Sequence, residues 1–367
     1  MLRCVGASPI AIAALRASRA VLESARSARA VDLPSDTSLT MPATLPLLWT
    51  DVPLHPEALE LLRCHVRLAG PTIPATMATP GDFADADAAI VGTKVHYDAA
   101  VFARALRLQV IARTGIGYDN IDVAAATTAG ICAVNTPDAP TESTAEFAIG
   151  LMFAVARRIP AADHNSKAGA WKIIPDVMGF DLTGKTLGLV GFGRIARRVA
   201  EIARAIRMPV CALDPFVPPP VMAEAGVAPC ADLPELLQAA QVLSLHAPLL
   251  PTTRRLIGAV QLALLPAGAI LINTARGPLV DEGAVLAALE SGRLAGAGID
   301  VWEREPVPAD NALFRHPRVV ATPHIAAYTE EGRRRSHVAA AQHVLGALHG
   351  EAPATLIDPA MWPRRRK

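Results

Sequence analysis

Short runs of mostly apolar residues, three to five long, alternate with stretches whose apolar positions fall three or four apart, from Leu45 to about Pro323. In the first third the runs are Leu45-Pro46-Leu47-Leu48-Trp49, Ala89-Ile90-Val91, Leu108-Gln109-Val110-Ile111-Ala112 and Ile131-Cys132-Ala133-Val134. Runs this short and unbroken suit strands buried on both faces, so the pattern predicts βαβ units and a parallel sheet. A long helix is predicted next. It opens at Pro140, has the capping-box spacing at Ser143 and Glu146, and carries Phe147, Leu151 and Val155 on one stripe, as a helix joining two lobes would. Six further strands are predicted at residues 187–190, 210–213, 242–245, 269–272, 298–301 and 319–321, separated by helical stretches, which matches a doubly wound sheet. Beyond His324 the pattern turns helical again over residues 333–348, and this helix is expected to return to the first lobe.

Length supports the same division, because 367 residues exceed one ordinary core and suit two domains. Hydrophobic residues make up 51% of the chain and aromatic ones only 4%, so the apolar content is mostly Ala, Val, Leu and Ile. That composition fits helices on parallel strands and not a base-stacking surface. With 35 basic and 34 acidic residues the net charge is +1, which gives no field to draw the protein to nucleic acid. The one basic cluster, Arg364-Arg365-Arg366-Lys367, is expected to be a solvated, disordered end. Residues 1–44 differ from the rest, with Arg3, Arg16, Arg19, Arg26 and Arg29 among Ala and Ser; they resemble a transit peptide but are read as a disordered extension. Five scattered cysteines, Cys4, Cys64, Cys132, Cys211 and Cys230, lack metal or redox spacing and read as idle thiols in a reducing cytoplasm. No apolar run approaches the ~20 residues that span a bilayer, so no membrane association is expected.

Candidate chemistry begins at Leu187-Gly188-Leu189-Val190, which runs into Gly191-Phe192-Gly193-Arg194-Ile195-Ala196 and then a helical stretch. Strand, glycine turn and helix occur in the order that a dinucleotide site requires. Gly191 would make the tight turn, Gly193 would let a pyrophosphate approach backbone, and small Ala196 would let helix and strand pack closely. Asp214 ends the next strand, where a carboxylate accepts hydrogen bonds from a ribose and repels a 2′-phosphate; NAD is therefore favoured over NADP. Gly179-Phe180-Asp181-Leu182-Thr183-Gly184-Lys185-Thr186 also fits a P-loop pattern, but it precedes a predicted strand instead of following one and is rejected.

Further segments complete an ordered set: Leu243-Ser244-Leu245-His246-Ala247-Pro248 with Thr252-Thr253-Arg254, Leu271-Ile272-Asn273-Thr274-Ala275-Arg276-Gly277, Gly298-Ile299-Asp300-Val301-Trp302-Glu303-Arg304-Glu305-Pro306, and Thr322-Pro323-His324-Ile325-Ala326. Together with the glycine motif they resemble the D-2-hydroxyacid dehydrogenases, the family of phosphoglycerate, glycerate and D-lactate dehydrogenases, over about Leu45 to Pro359. The resemblance implies an α/β fold of two doubly wound domains, with a Rossmann NAD domain (144–328) inserted into a flavodoxin-like substrate domain (45–143 plus 329–360). It implies hydride transfer between nicotinamide and C2 of a small 2-keto or D-2-hydroxy acid. Arg276, Glu305 and His324 are the implied catalytic residues. A proton donor near neutral pKa is needed where negative charge develops on the carbonyl oxygen, which suits His324. Glu305 would fix the ring's tautomer, and Arg276 would pair with the substrate carboxylate and polarise the keto oxygen.

The same resemblance places Arg194, Ile195, His246, Ala247, Pro248, Thr253, Thr274, Ala275, Asp300 and Thr144 with Gly191, Gly193 and Asp214 around the cofactor, Asp300 at the nicotinamide carboxamide. It places Gly92, Thr93 and Lys94 in a loop whose amides hold the substrate carboxylate, and Gly115 and Ile116 in the glycine turn Gly115-Ile116-Gly117-Tyr118-Asp119-Asn120 facing the cleft. Ala196 replaces a frequent third glycine, and Ala326-Ala327-Tyr328 departs from many members after the histidine. A homodimer joined near residues 145–175 is expected, without a regulatory domain after the returning helix. Formate and phosphite dehydrogenases share the architecture, with Glu305 arguing against the former. A nonenzymatic NAD(H)-sensing scaffold like the C-terminal-binding-protein corepressors is the reading from a different class.

Overall fold

The computed structural model describes residues 45–70, 84–171 and 178–367. Residues 1–44, read above as an extension, lie outside the described residues. The first lobe runs β1 (Leu47–Thr50), α1 (Pro56–Leu62), β2 (Arg67–Ala69), β3 (Ala88–Val91), α2 (Ala99–Arg104), β4 (Val110–Arg113), α3 (Val123–Thr128) and β5 (Cys132–Asn135). These five strands form a parallel sheet in the order β2-β1-β3-β4-β5. Every residue of β3 and β4 is buried, which is why their sequences read as unbroken apolar runs. Asp98 and Asp122 cap α2 and α3 through their carboxylates, each fixing where the helix starts after the loop that leaves a strand.

Two helices follow, α4 (Thr141–Ala156) and α5 (Ile159–Lys167). The chain then enters β6 (Leu187–Val190), α6 (Arg194–Ala205), β7 (Val210–Leu213), α7 (Pro219–Glu224), β8 (Ala228–Pro229), α8 (Leu233–Ala239) and β9 (Val242–Leu245). It continues through α9 (Ala259–Leu264), β10 (Ala269–Asn273), α10 (Glu282–Glu290), β11 (Leu294–Ile299) and β12 (Val319–Ala321). The seven-stranded sheet is parallel throughout, in the order β12-β11-β10-β9-β6-β7-β8. Strand order reverses between β6 and β9, and in the smaller sheet between β1 and β3; both are crevices of the kind where open α/β sheets bind ligands. Finally α11 (Glu330–Leu348) returns to the first sheet, where Ala340, Ala341 and Val344 pack on Leu48, Ile90, Val110 and Val134. The expected fold class, two parallel-sheet α/β domains with one inserted in the other, is therefore the observed one.

Several local expectations need correction. The capping box at Ser143 and Glu146 does not form, because α4 already begins at Thr141 with Pro140 before it. Ser143 is buried, and its hydroxyl meets Thr329 Oγ1 at 2.8 Å, tying the joining helix to the cap of α11. The strand expected at 298–301 starts earlier, at Leu294, since Ala295-Gly296-Ala297-Gly298 disguises it. Those glycines let α4 come close: a Cβ on Gly296 would lie 2.7 Å from Val155 Cγ1, and one on Gly298 3.0 Å from Leu151 Cβ. The edge strands β2 and β8 were not expected. Nor is the basic tail loose. The Arg365 guanidinium stacks 3.8 Å above the Trp362 ring, and the Arg366 amide donates to Gly130 O at 2.8 Å. The side chain of Arg366 reaches the carbonyls of Ala105 and Leu108, so these charges satisfy helix-end carbonyls of the first lobe. The rejected P-loop does precede a strand, β6. Among the described residues no helix is long and apolar enough to cross a membrane, no cluster could hold a metal, and Cys64, Cys132, Cys211 and Cys230 are free thiols.

Candidate active site

The glycine turn sits at the reversal of the larger sheet. Gly191 has φ +90, a left-handed value, and a Cβ there would lie 2.8 Å from the carbonyl carbon and oxygen of His246. Only glycine fits between β6 and the loop leaving β9. Gly193 has no such neighbour: a Cβ would meet nothing within 4 Å, and this residue is the N-cap of α6, with no side chain capping the helix. The start of α6 thus presents unsatisfied amides to open space. Ile195 packs into the core, and Arg194 pairs with Asp138 beside the joining helix. Asp214 accepts from the amides of Phe192 and Phe216, both at 2.8 Å, which aims its carboxylate across the mouth of the turn.

The loop after β9 is fixed by its own side chains. Thr253 Oγ1 donates to Pro248 O at 2.7 Å and accepts from the Leu250 amide, so Ala247 and Pro248 are held by a local staple. His246 bonds Ser244 Oγ at 2.9 Å through Nε2, and burial pushes its pKa down to about 4. It is neutral at ordinary pH, which suits positioning and not proton transfer. Thr274, after β10, holds a buried hydroxyl with no partner among the described residues, a donor left over at the crevice. Ala275 donates to Asn273 Oδ1 at 3.1 Å, and Thr144 lies buried in the first turn of α4.

Arg276 and His324 come from different strand ends and are brought together by backbone packing. Gly277 lies against Trp302 so closely that a Cβ would sit 1.9 Å from its carbonyl carbon, which joins the Arg276 loop to the Glu305 loop. Glu305 Oε1 accepts from the Trp302 amide at 3.0 Å, and Oε2 meets His324 Nδ1 at 2.8 Å. Burial pushes the Glu305 carboxyl up, but the bond and charge of His324, the Trp302 amide and the charge of Arg276 together hold it below the usual carboxylate value. His324 has φ +58, a conformation that costs a non-glycine residue roughly 1–2 kcal/mol. Asp300 stabilises it. This fully buried carboxylate accepts from Thr322 Oγ1 at 2.7 Å, the Ile325 amide at 2.9 Å and the Ala326 amide at 2.8 Å, while its carbonyl accepts from the His324 amide. Asp300, which the sequence expects at the nicotinamide carboxamide, thus also anchors the histidine loop.

The smaller sheet faces the same site. The glycine turn 115–120 crosses to Arg276: Asp119 Oδ2 accepts from Nε at 2.7 Å, and a Cβ on Gly117 would coincide with Nη2. Gly115 and Ile116 start this turn, with Ile116 O taking Asn135 Nδ2 at 2.7 Å. Arg113 lies buried beneath Gly115, and its pKa is pushed down to about 10 by burial and by Arg276, with Asp51 and Asp119 opposing. Thr93 and Lys94 are exposed after β3, whereas Gly92 is buried and its amide already donates to Asp51 Oδ1 at 2.6 Å. Sequence reasoning missed Asp51, and it named Asp119 and Asn120 only as part of the glycine turn and Asn273 only within its motif, without the contacts they make. Their signal is purely tertiary, except for Asn273, whose Nδ2 to Arg276 O bond at 2.9 Å spans three residues.

Comparison with known proteins agrees with this geometry. Residues 149–326 match the family model described as the D-isomer specific 2-hydroxyacid dehydrogenase, NAD binding domain. The chain is 40% identical over 326 residues to D-3-phosphoglycerate dehydrogenase of Methanocaldococcus jannaschii, covering 87% of this chain and 60% of that protein. It is 40% identical over 277 residues to glyoxylate reductase of Korarchaeum cryptofilum, covering 75% of this chain and 83% of the relative. The solved structure of D-lactate dehydrogenase from Aquifex aeolicus, complexed with NAD and lactic acid, superposes with a TM-score of 0.74 at 28% identity, over 83% of this chain and 96% of that one. The chain thus spans only about half to three fifths of the curated phosphoglycerate dehydrogenases it matches. By these matches, the chain belongs to the family of D-isomer specific 2-hydroxyacid dehydrogenases.

Proposed function

We propose that the protein interconverts a small 2-keto acid and its D-2-hydroxy acid with NAD as redox partner. The observation that carries this reading is the 2.8 Å pair between Glu305 and His324, whose carboxylate also feels the charge of Arg276. The residues present fit a dinucleotide: open space at the uncapped start of α6 for a pyrophosphate, the Asp214 carboxylate for a ribose, and the unpartnered Thr274 hydroxyl in the crevice. Asp214 favours NAD over its 2′-phosphorylated form by charge. When bound, the nicotinamide supplies or accepts a hydride at the substrate's C2.

Everything else falls to the chain. With Nδ1 tied to Glu305, His324 presents Nε2 as the atom that gives a proton to the carbonyl oxygen in reduction and removes one from the hydroxyl in oxidation. Glu305 stabilises the charged ring, and Arg276 orients the substrate carboxylate beside it. The division into a substrate domain (45–143 plus 329–360) and a cofactor domain (144–328), with closure between them to exclude water, belongs to the same reading. So do a homodimer formed near residues 145–175, where Phe153 and Ile159 are exposed, and a cytoplasmic location in keeping with four free thiols. Purified protein, NADH and a panel of 2-keto acids, followed by loss of NADH absorbance, make the test. Turnover of glyoxylate, hydroxypyruvate or another 2-keto acid supports the enzyme; tight NADH binding with no turnover supports a cofactor-sensing scaffold instead.

A further inference from the structure

The loop after β3 is gripped from two sides. Asp51 leaves β1, and its carboxylate bridges two groups, accepting from the Gly92 amide at 2.6 Å and from the Tyr97 hydroxyl at 2.9 Å. On the other side Asn120 donates through Nδ2 to Gly92 O at 3.0 Å and to Val95 O at 2.8 Å, and its carbonyl accepts from the Tyr97 amide. Gly92 can take this position because it has no side chain: a Cβ would strike Val52 Cγ1 at 2.7 Å. Both ends of the loop are thereby fixed, while the amides of Thr93 and Lys94 between them carry no hydrogen bond among the described residues. The place is the strand-order reversal of the smaller sheet, where β1 and β3 lie side by side. Asn120 is also the neighbour of Asp119, which holds Arg276, so one turn grips the loop with one residue and the guanidinium with the next.

We propose that Asp51 is a positioning residue for substrate: by bridging the Gly92 amide and the Tyr97 hydroxyl it presents the free amides of Thr93 and Lys94, in register with Arg276, to the carboxylate of the 2-keto acid. The inference rests on the function proposed above. Its chemistry is that of a preset anion seat, in which two amides are held open because a neighbouring carboxylate occupies the third. An amide in place of the carboxylate would keep Gly92 on its oxygen only by donating to the Tyr97 oxygen and turning that hydroxyl's proton away, and it would lose the charge that strengthens both bonds, so the loop would be set less firmly.

The test compares wild type, Asp51→Asn and Tyr97→Phe with NADH saturating. Expected are a KM for the 2-keto acid raised about tenfold or more in Asp51→Asn and less in Tyr97→Phe, with kcat within about twofold and NADH affinity unchanged, the signature of lost ground-state binding. Oxamate, an unreactive 2-keto acid mimic, should bind the NADH complex more weakly in the same order. An unchanged KM and oxamate affinity in both variants overturns the proposal, as does a loss of NADH affinity in parallel with KM, which would mean general loosening. Tyr97→Phe keeps its ring in the core and decides the matter if Asp51→Asn does not fold. Wild-type protein that turns over no 2-keto acid but binds oxamate counts against the enzymatic reading alone; wild type that binds no oxamate overturns both.

Discussion

His324 combines an unfavourable backbone angle, a carboxylate on its inner nitrogen and an outer nitrogen in reach of solvent. Asp300 holds that arrangement by meeting three donors of the following loop, so the strain is maintained by a fully buried anchor and not by the substrate. Replacing His324 with Ala should lower kcat by about 10² or more and leave NADH affinity nearly intact, as measured by steady-state rates and fluorescence titration. Full turnover in that variant would assign the proton to another group. Asp214 makes a separate prediction, since its carboxylate faces the ribose position with two backbone donors already aiming it. Asp214→Ala should bring the NADPH and NADH dissociation constants closer together; an unchanged ratio would remove the ribose assignment.

At the scale of elements, the two glycines before α6 do different work. Gly191→Ala should destabilise the fold, because its φ is left-handed and the Cβ position is filled by the His246 carbonyl. Gly193→Ala should leave the thermal midpoint alone, since φ is −76 and the space is open, yet weaken NADH by about tenfold or more by filling the phosphate seat. Equal effects of the two changes on NADH affinity and on melting would contradict this. The sequence displayed this region plainly because strand, turn and helix are contiguous, and the same holds for the Arg276, Glu305 and His324 segments, each of which follows a strand, buried for the first two and half-buried for the last. What it concealed follows one pattern. Asp51, Asp119 and Asn120 act through partners many residues distant, and Asp300 has an unremarkable acidic appearance that hides its load. The strands β2 and β8 escaped because a half-exposed three-residue edge and a two-residue edge ending in Pro229 have no periodicity to detect. Ser143 mimicked a cap only because the helix start could not be located to within a turn.

For the whole molecule, the joint between α11 and the first lobe should be sensitive to acid. His337 of α11 accepts the His55 amide on Nδ1 at 2.9 Å, and burial, with Arg333 and His55 adding to it, pushes its pKa down to about 4; His246 is lowered to about 4 as well. Between pH 6.5 and 4 the unfolded chain takes up these protons and the folded chain does not. Stability should therefore fall as pH drops through that interval and change little from these groups above it, by on the order of 1–2 kcal/mol per histidine at pH 5. Urea midpoints at pH 7.5 and 5 measure this, and His337→Asn should flatten the difference; an identical slope in the variant would place the acid sensitivity elsewhere.

The return of α11 also sets an order of events during synthesis. All five strands of the smaller sheet have been synthesised once Asn135 is passed, but the helix that covers one of their faces starts roughly 200 residues later, on the order of ten seconds or more at typical elongation rates. The inserted seven-stranded sheet, by contrast, has every strand in hand by Ala321. The face of Leu48, Ile90, Val110 and Val134 therefore waits for its covering helix throughout that delay.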